Sequence, residues 1–279
     1  MSVSTKCAEG LIWAYKGINR IGLLDLYLVR SFYISSYFTY KKYLEDPYLR
    51  LIKHHRALFK GGSILDIGAN IGYTSYVFSK VIDDSFKIVA FEPEVRNLEI
   101  LKQASQKYRF SNKLVSVAAA VGDQEGEIEL WNNEAHNGDH RILTEVLKEQ
   151  LQGQIKIQKT PIVTVDNYLS RLGENTPISF IKIDVQGYEL PVCKGMTQTL
   201  NINPDVVVGF EYCPSVIEAL GFQPEELLNF FYTKGYQFFT LNKENKIQLY
   251  DIEQGHRNLR QIRPHDYIDI LCARRNLAD

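Results

Sequence analysis

Four acidic residues stand at or next to the ends of short apolar stretches. Asp66 lies in SILDIG, Glu92 follows IVAF, Asp184 follows FIKI, and Glu211 follows VVVGF. A carboxylate accepts hydrogen bonds from hydroxyl groups and, where its pKa is tuned, takes a proton from a reacting group. The carboxyl ends of neighbouring parallel strands meet at one edge of a sheet, where ligands bind. These residues therefore predict a cleft with an acidic wall.

A lysine accompanies the third of these carboxylates. Lys182 shares a strand face with Asp184 by alternation, and a lysine in a central strand is expected to be paired with Asp184, Glu189 or Glu211. The plainer reading of Lys182 and Asp184 is a structural ion pair at the sheet edge. For Glu211 it is a cap for the helix that begins near Pro214.

A glycine loop follows the first apolar stretch, in the pattern Asp66-x-Gly68-x-x-x-Gly72. Glycines let a backbone come close to a ligand, but this spacing lacks the G-x-G-x-x-G pattern that seats a pyrophosphate. Glu92, twenty residues past Gly72, is placed to accept hydrogen bonds from both hydroxyls of a ribose. A nucleoside without phosphates fits, and S-adenosylmethionine is such a molecule. The alternative is a tight turn at the glycines, with Glu92 capping the next helix.

The elements that must position these groups alternate between strand-like and helix-like segments. Apolar runs separated by helical spacing indicate an α/β fold with a parallel sheet covered on both faces. The segments 236–241, 246–250 and 267–272 lack that alternation and predict an antiparallel edge. The predicted parallel strands are residues 64–67, 88–91, 114–121, 178–185 and 206–210, and the predicted helices include residues 73–82, 94–108 and 189–200.

Two regions lie outside this repeat. Residues 1–60 are predicted to form a helical extension packed on a core domain of residues 61–279. Residues 123–177 are predicted to be an insertion that carries a β-ribbon and forms part of the acceptor site. The polar loop of residues 132–142 lies between the ribbon strands, and a loop of this length is usually functional or mobile. His136, Asp139 and His140 on this loop can take a proton or bind a metal.

Composition excludes several classes of function. The 279 residues contain 32 basic and 33 acidic side chains, so the net charge of −1 offers no electrostatic case for nucleic acid. The four scattered cysteines form no C-x-x-C pair and indicate reduced thiols in a cytoplasmic protein. Neither a signal peptide nor an apolar run long enough to span a membrane is predicted. The oligomeric state is left open, a homodimer included.

Four stretches resemble the FkbM family of S-adenosylmethionine-dependent methyltransferases: SILDIGANIGYTSYVFSK, VAFEPE, AAAVGD and above all FIKIDVQGYE. The resemblance covers about residues 60–240. It implies a class I methyltransferase fold, a Rossmann-like doubly wound sheet of seven strands with the last strand antiparallel. It also implies a set of cofactor-binding residues: Asp66, Gly68, Ala69, Asn70, Gly72, Tyr73, Thr74, Glu92, Pro93, Ala119 and Asp184.

The resemblance further implies methylation of a hydroxyl oxygen on a small-molecule natural product, a sugar or a glycolipid. The GDHR stretch is similar to one in this family, which makes His140 the preferred general base, with Asp184 and Glu211 positioning it, the acceptor or a cation. His140, Asp184 and Glu211 are also candidate ligands for a divalent metal, although catalysis without a metal is equally compatible with the sequence.

Several alternatives remain open from the sequence. An N- or carboxyl-methyltransferase of a small molecule and a non-catalytic S-adenosylmethionine-binding module are both compatible with the same residues. A dinucleotide oxidoreductase is disfavoured by the glycine spacing. A nucleic-acid methyltransferase is disfavoured because there is no basic run and Cys213-Pro214 reverses the Pro-Cys order.

Overall fold

A mostly parallel sheet of eight strands runs through the chain. The structure is a computed structural model that describes residues 26–131, 140–151, 156–173, 176–252 and 267–278. The strands of this sheet are β1 (Ser63–Ile67), β2 (Ile88–Phe91), β3 (Leu114–Val117), β8 (Ile178–Ile183), β9 (Val207–Tyr212), β10 (Gln237–Leu241), β11 (Ile247–Leu249) and β12 (Ile268–Ala273). Their order in the sheet is β3-β2-β1-β8-β9-β12-β10-β11.

The first five of these strands run parallel, and β12 runs antiparallel to both β9 and β10. The predicted α/β class and the antiparallel last strand are therefore confirmed. The short strand β11 pairs antiparallel with β10 and adds an eighth strand to the seven that were expected. Strand order reverses between β1 and β8, so the cleft of a doubly wound sheet is expected beyond the ends of these two strands.

Helices cover both faces of this sheet. Alternate strand residues such as Leu65 and Ile64 are fully buried in two separate hydrophobic clusters, one on each face. The α-helices are α1 (Tyr27–Tyr40), α2 (Pro47–His54), α3 (Tyr73–Phe78), α4 (Val95–Lys107), α5 (Glu145–Gln150), α6 (Val165–Arg171), α7 (Glu189–Lys194), α8 (Thr197–Ile202), α9 (Pro214–Ala219) and α10 (Pro224–Tyr232).

Three strands of the insertion and the short strand just before it form a second sheet of four strands in the order β4-β7-β5-β6. The predicted ribbon is seen as β5 paired antiparallel with β7. The prediction of one strand over residues 114–121 was wrong, because the chain leaves the large sheet after β3 and pairs with β7 instead. The strands are β4 (Ala120–Val121), β5 (Gly126–Trp131), β6 (Arg141–Ile142) and β7 (Ile157–Val163).

The prediction of a single helix over residues 189–200 was also wrong. The structure has α7 and α8 instead, separated at Gly195 and Met196. A Cβ at Gly195 would lie 1.9 Å from the carbonyl oxygen of Gly122, so only glycine permits this close backbone approach.

The described part of the N-terminal region, residues 26–60, is helical and packs against the core domain. Phe38 of α1 is buried and its ring stacks on Tyr108 at a centroid distance of 4.8 Å. Asp46 caps α2 by accepting a hydrogen bond from the Leu49 backbone N–H at 2.9 Å. Residues 1–25 lie outside the described residues, and the boundary at residue 60 stays a prediction. No helix in the described part of the chain is both long and apolar enough to cross a membrane.

Candidate active site

The glycine loop after β1 is held by close backbone contacts. Gly68 has φ +78°, and a Cβ there would lie 1.9 Å from the carbonyl oxygen of Asp184. The backbone N–H groups of Gly68 and Ala69 both donate to the carbonyl oxygen of Phe91 at 3.0 Å. Gly72, at φ +87°, precedes the first residue of α3 and packs on Leu101. The loop therefore depends on glycine at 68 for the contact with the end of β8.

Glu92 connects this loop to the end of β2. It is buried, and its carboxylate accepts the Asn70 backbone N–H at Oε2 (2.7 Å) and the Glu94 backbone N–H at Oε1 (3.0 Å). Burial raises the pKa of Glu92 to about 7, although the two backbone hydrogen bonds oppose the shift. Each oxygen keeps a second lone pair for a further donor. Glu94, rather than Glu92, caps α4 by accepting the Asn97 backbone N–H at 2.6 Å.

Glu92 lines a narrow cavity, called here the inner cavity, whose walls are mostly apolar. The apolar wall comes from the ends of β1 and β2 and from the second sheet, which makes it a slot suited to a flat ring. Its lining residues are Ile67, Gly68, Asn70, Phe91, Glu92, Pro93, Asn97, Ala119, Ala120, Val121, Leu130, His140, Ile142, Asp184, Val185 and Gln186.

A larger polar cavity of about 490 Å³, called here the outer cleft, adjoins the inner cavity. Gly68, Asn70, Asp184 and Gln186 line both. The outer cleft is also lined by residues of the N-terminal helices, the glycine loop and the sheet ends: Tyr37, Lys41, Asp46, Tyr48, Ala69, Ile71, Tyr73, Thr74, Arg141, Lys182, Glu211, Cys213, Val216, Tyr267 and Asp269.

Lys182 forms a buried ion pair beneath the loop. Its Nζ lies 3.2 Å from Asp66 Oδ1 and 3.6 Å from Asp184 Oδ2, and it donates to the Gly68 carbonyl oxygen at 2.6 Å. Burial works to lower the pKa of Lys182, but the charges of Asp66 and Asp184 outweigh it and the pKa is raised. The expected pairing of Lys182 with Asp184 is present, and Asp66 is a second partner that the sequence analysis did not name.

Asp66 lies behind the glycine loop. Its side chain is fully buried, accepts the Ser75 hydroxyl at 2.6 Å and lines neither cavity. Gly72 also lines neither cavity. The other residues predicted to bind the cofactor line one or both cavities: Gly68, Ala69, Asn70, Tyr73, Thr74, Glu92, Pro93, Ala119 and Asp184. Asp66 and Gly72 thus support the loop from below.

The three predicted catalytic residues are divided between the cavities. Asp184 lines both, Glu211 lines the outer cleft, and His140 lines the inner cavity beside Glu92. Among the residues that the structure describes, no group of three or more His, Cys, Asp or Glu side chains is arranged to hold a metal ion. His136 and Asp139, with the rest of residues 132–139, lie outside the described residues.

Asp269 is a cleft residue that the sequence analysis missed. It is directly opposite Glu211 in the β12–β9 pairing. Burial first, and the charge of Asp184 second, raise its pKa to about 7. The same two effects, with the charge of Asp269, raise the pKa of Glu211 well above its ordinary range. An acidic residue inside the apolar run YIDILCA was the available signal, because strand interiors seldom carry an unexplained charge.

All lining residues of the inner cavity, and most of those of the outer cleft, lie within a region that matches a known family. The family model described as the Methyltransferase FkbM domain matches residues 66–238. The chain belongs to this family, and the resemblance noted in its sequence is confirmed.

One curated relative and two solved structures illustrate the similarity. The hexuronic acid methyltransferase AglP of Haloferax volcanii is 28% identical over 144 residues, which are 51% of this chain and 53% of that protein. The chain thus aligns with about half the length of this relative. A methyltransferase FkbM from Methylobacillus flagellatus KT is 13% identical, with a TM-score of 0.47, over 85% of this chain and 53% of that one. An O-methyltransferase from Bacillus cereus is 10% identical, with a TM-score of 0.47, over 94% of this chain and 98% of that one.

Proposed function

We propose that this protein is an S-adenosylmethionine-dependent methyltransferase that methylates a hydroxyl oxygen of a small, hydroxyl-rich molecule. The observation that carries the proposal is the pair of adjoining cavities. One is a narrow apolar slot with a buried carboxylate, the other is a wide polar cleft, and Asp184 lines both. A transferase needs two ligands that meet at one point, and membership of the FkbM family identifies the transferred group as methyl.

The residues of the inner cavity fit the nucleoside part of the cofactor. Phe91, Pro93 and Ala119 offer flat apolar contacts for adenine, while Glu92 has one lone pair left on each oxygen for the two ribose hydroxyls. Gly68 lines both cavities, and glycine at this position permits the close approach of the loop to the carbonyl oxygen of Asp184. A dinucleotide cofactor is disfavoured because the spacing Asp66-x-Gly68-x-x-x-Gly72 lacks the G-x-G-x-x-G pattern that seats a pyrophosphate.

When bound, the cofactor supplies a methyl group on a positively charged sulfur. The work of this chain is to hold the acceptor oxygen in line with that methyl group, exclude water and receive the hydroxyl proton. In the outer cleft, Asp184 and Glu211 have the chemistry to receive the proton. His140 lines the inner cavity and not the outer cleft, so we propose that it contributes to cofactor binding rather than to proton transfer.

The outer cleft supports a sugar-like acceptor. Carboxylates accept hydrogen bonds from several hydroxyls, and the rings of Tyr37, Tyr48 and Tyr73 offer faces for the C–H groups of a sugar. Lys41 and Arg141 line the same cleft and would attract an acidic group on the acceptor. A uronic acid combines these features, and the partial similarity to a hexuronic acid methyltransferase points the same way.

The regions outside the core repeat are proposed to set acceptor choice. Tyr37, Lys41 and Tyr48 of the N-terminal helices line the outer cleft. The insertion contributes Arg141 to the outer cleft but Leu130 and Ile142 to the inner cavity. Changes in the N-terminal helices are therefore expected to alter acceptor choice with cofactor binding intact, whereas changes in the insertion are expected to affect both.

An amine acceptor is the second candidate, because four carboxyl groups line the outer cleft and would attract a cation. A transfer assay decides between the two. Purified protein is incubated with methyl-labelled S-adenosylmethionine and separate acceptors: methyl glucuronide, methyl glucoside, glucosamine and a polyamine. We expect a mass gain of one methylene on the uronic acid and a methyl ether in its fragmentation spectrum. Label only on the amines would refute O-methylation, and label on none of these acceptors would count against the proposed acceptor class.

A further inference from the structure

Three carboxylates form a row across neighbouring strands at the floor of the outer cleft. Ile183 pairs with Phe210, so Asp184, the next residue, is level with Glu211, and Glu211 is paired with Asp269. Residues at the same level of adjacent strands point to the same face of a sheet. All three side chains line the outer cleft, which agrees with this register.

The three members of the row differ in their partners. Asp184 has Lys182 at 3.6 Å and accepts a hydrogen bond from Gln186 Nε2 at 3.0 Å. In the part of the chain that the structure describes, no side chain or backbone N–H donates to the carboxyl group of Glu211 or Asp269, and neither has an ion pair. Two partly buried acids without a protein partner, both facing a cavity, are poised to interact with what enters that cavity.

We propose that Glu211 and Asp269 form a carboxyl pair that holds one proton between them and takes the proton of the acceptor hydroxyl during methyl transfer. The inference rests on the proposed function and deepens it, because it assigns the proton acceptor of the same site. It also assigns a role to Asp269.

Methyl transfer with this pair as the base involves one proton and two electron pairs. The acceptor O–H bond breaks and its proton moves to the ionised carboxylate of the pair. The electron pair left on the acceptor oxygen forms the new O–CH₃ bond, and the electrons of the breaking S–CH₃ bond stay on sulfur. Both carboxyl groups are then protonated, and one proton returns to water through the open cleft. No oxidant, reductant or metal is needed.

Two adjacent carboxyl groups lose their protons in separate steps, because two negative charges held close together away from water are unfavourable. Burial and the neighbouring negative charges raise the pKa of Asp269 to about 7 and raise the pKa of Glu211 well above its ordinary range. At neutral pH the pair therefore keeps a proton, and its ionised member is a stronger base than a free aspartate. That basicity is what a hydroxyl acceptor requires.

Charged and titratable groups around the pair influence whether it keeps its proton. The charged and titratable groups that act on it come from the segment between α1 and α2, from α2, from the loop after β8 and from the start of α7: Lys41, Asp46, Tyr48, Arg50, Asp184 and Glu189. Burial raises the pKa of Tyr48 well above its ordinary value, so its hydroxyl stays protonated. A Cβ at Gly209 would lie 3.1 Å from the Tyr48 hydroxyl oxygen, so glycine at 209 leaves room for that hydroxyl near the row.

The first test measures the protonation of the carboxyl pair in the absence of an acceptor. Protein labelled with ¹³C at the aspartate carboxyl carbon and saturated with S-adenosylhomocysteine is titrated by NMR. We expect one resonance to titrate near pH 7 and to be missing in Asp269→Asn. In protein labelled at the glutamate carboxyl carbon instead, we expect the Glu211 resonance to move to lower pH in Asp269→Asn, because the charge of Asp269 is removed. Asp205→Asn is the matched control, because Asp205 is exposed just before the opposite end of β9. Aspartate signals that all titrate below about pH 5, or a Glu211 resonance unchanged by Asp269→Asn, would overturn the pair.

The catalytic part of the inference has a separate readout. With the acceptor that is methylated in the transfer assay, Asp269→Asn should lower kcat about 10²–10⁴-fold and remove the rise of kcat through neutral pH. Its affinity for S-adenosylhomocysteine should stay unchanged. A variant with normal kcat and the wild-type pH profile would refute the base role while the proposed function stands. Failure of the wild type to transfer methyl would instead refute the proposed function, and the NMR titration would still decide whether the pair exists.

Discussion

Lys182→Met is expected to lower the free energy of unfolding by about 3–5 kcal/mol, the usual cost of removing one partner of a buried ion pair. Lys182 and Asp66 are 3% and 0% exposed, so Asp66 would keep a charge with no water to solvate it. Ser75 would remain as the hydrogen-bond donor to Asp66. The Gly68 carbonyl would also lose its contact with the ammonium group.

Urea unfolding followed by circular dichroism measures this loss as a shift of the midpoint at constant slope. Lys60→Met is the matched control, because Lys60 Nζ is 2.6 Å from Asp83 Oδ1 in a pair that is 42% and 37% exposed. Solvent screens such a pair, and little change is expected. The double variant Lys182→Met/Asp66→Asn should recover part of the loss, because the uncompensated carboxylate is gone.

Equal midpoint shifts in Lys182→Met and Lys60→Met would refute the reasoning. So would additive losses in the double variant, because residues that form one ion pair must couple.

Three further predictions concern the cavity walls. Gly68→Ala should abolish cofactor binding, because its Cβ would lie 1.9 Å from a carbonyl oxygen. Gly61→Ala is the control for backbone strain alone, because Gly61 has φ +79° and a Cβ there would have no atom within 4 Å. The unfolding free energy of cofactor-free protein should fall as pH rises from about 4.5 to about 7, because the folded state holds a proton on Glu92 that the unfolded chain releases. Urea titrations across this pH range measure the slope, which should be flatter in Glu92→Gln. His140→Ala should raise the cofactor KM more than it lowers kcat in steady-state kinetics, because His140 lines the inner cavity. A larger fall in kcat than rise in KM would instead identify His140 as the general base.

The parallel part of the fold was predictable because its strands are continuous apolar runs with helical spacing between them. The break of residues 114–121 into β3 and β4 was not, because both halves are apolar and only the partner strand differs. The division of the helix at Gly195 likewise depends on a contact with Gly122, distant in sequence, that no local pattern reveals.

The site was predictable where a residue stands at the end of a parallel strand. Glu92 and Asp184 belong to this group and line the inner cavity. Asp66 shares the motif but lies one level deeper, where Lys182 and Ser75 hold it, and strand alternation alone does not give depth. Asp269 was missed because it comes from the antiparallel strand β12, whose pairing with β9 is needed to bring it beside Glu211.

Titration calorimetry with S-adenosylmethionine tests the central claim most directly. The account predicts micromolar binding to the wild type and to Asp205→Asn, and binding weaker by about 2–4 kcal/mol in Glu92→Ala, which loses two charge-assisted hydrogen bonds to the ribose. No heat with the wild type, or the same affinity in Glu92→Ala as in Asp205→Asn, would contradict the assignment of the inner cavity to the cofactor.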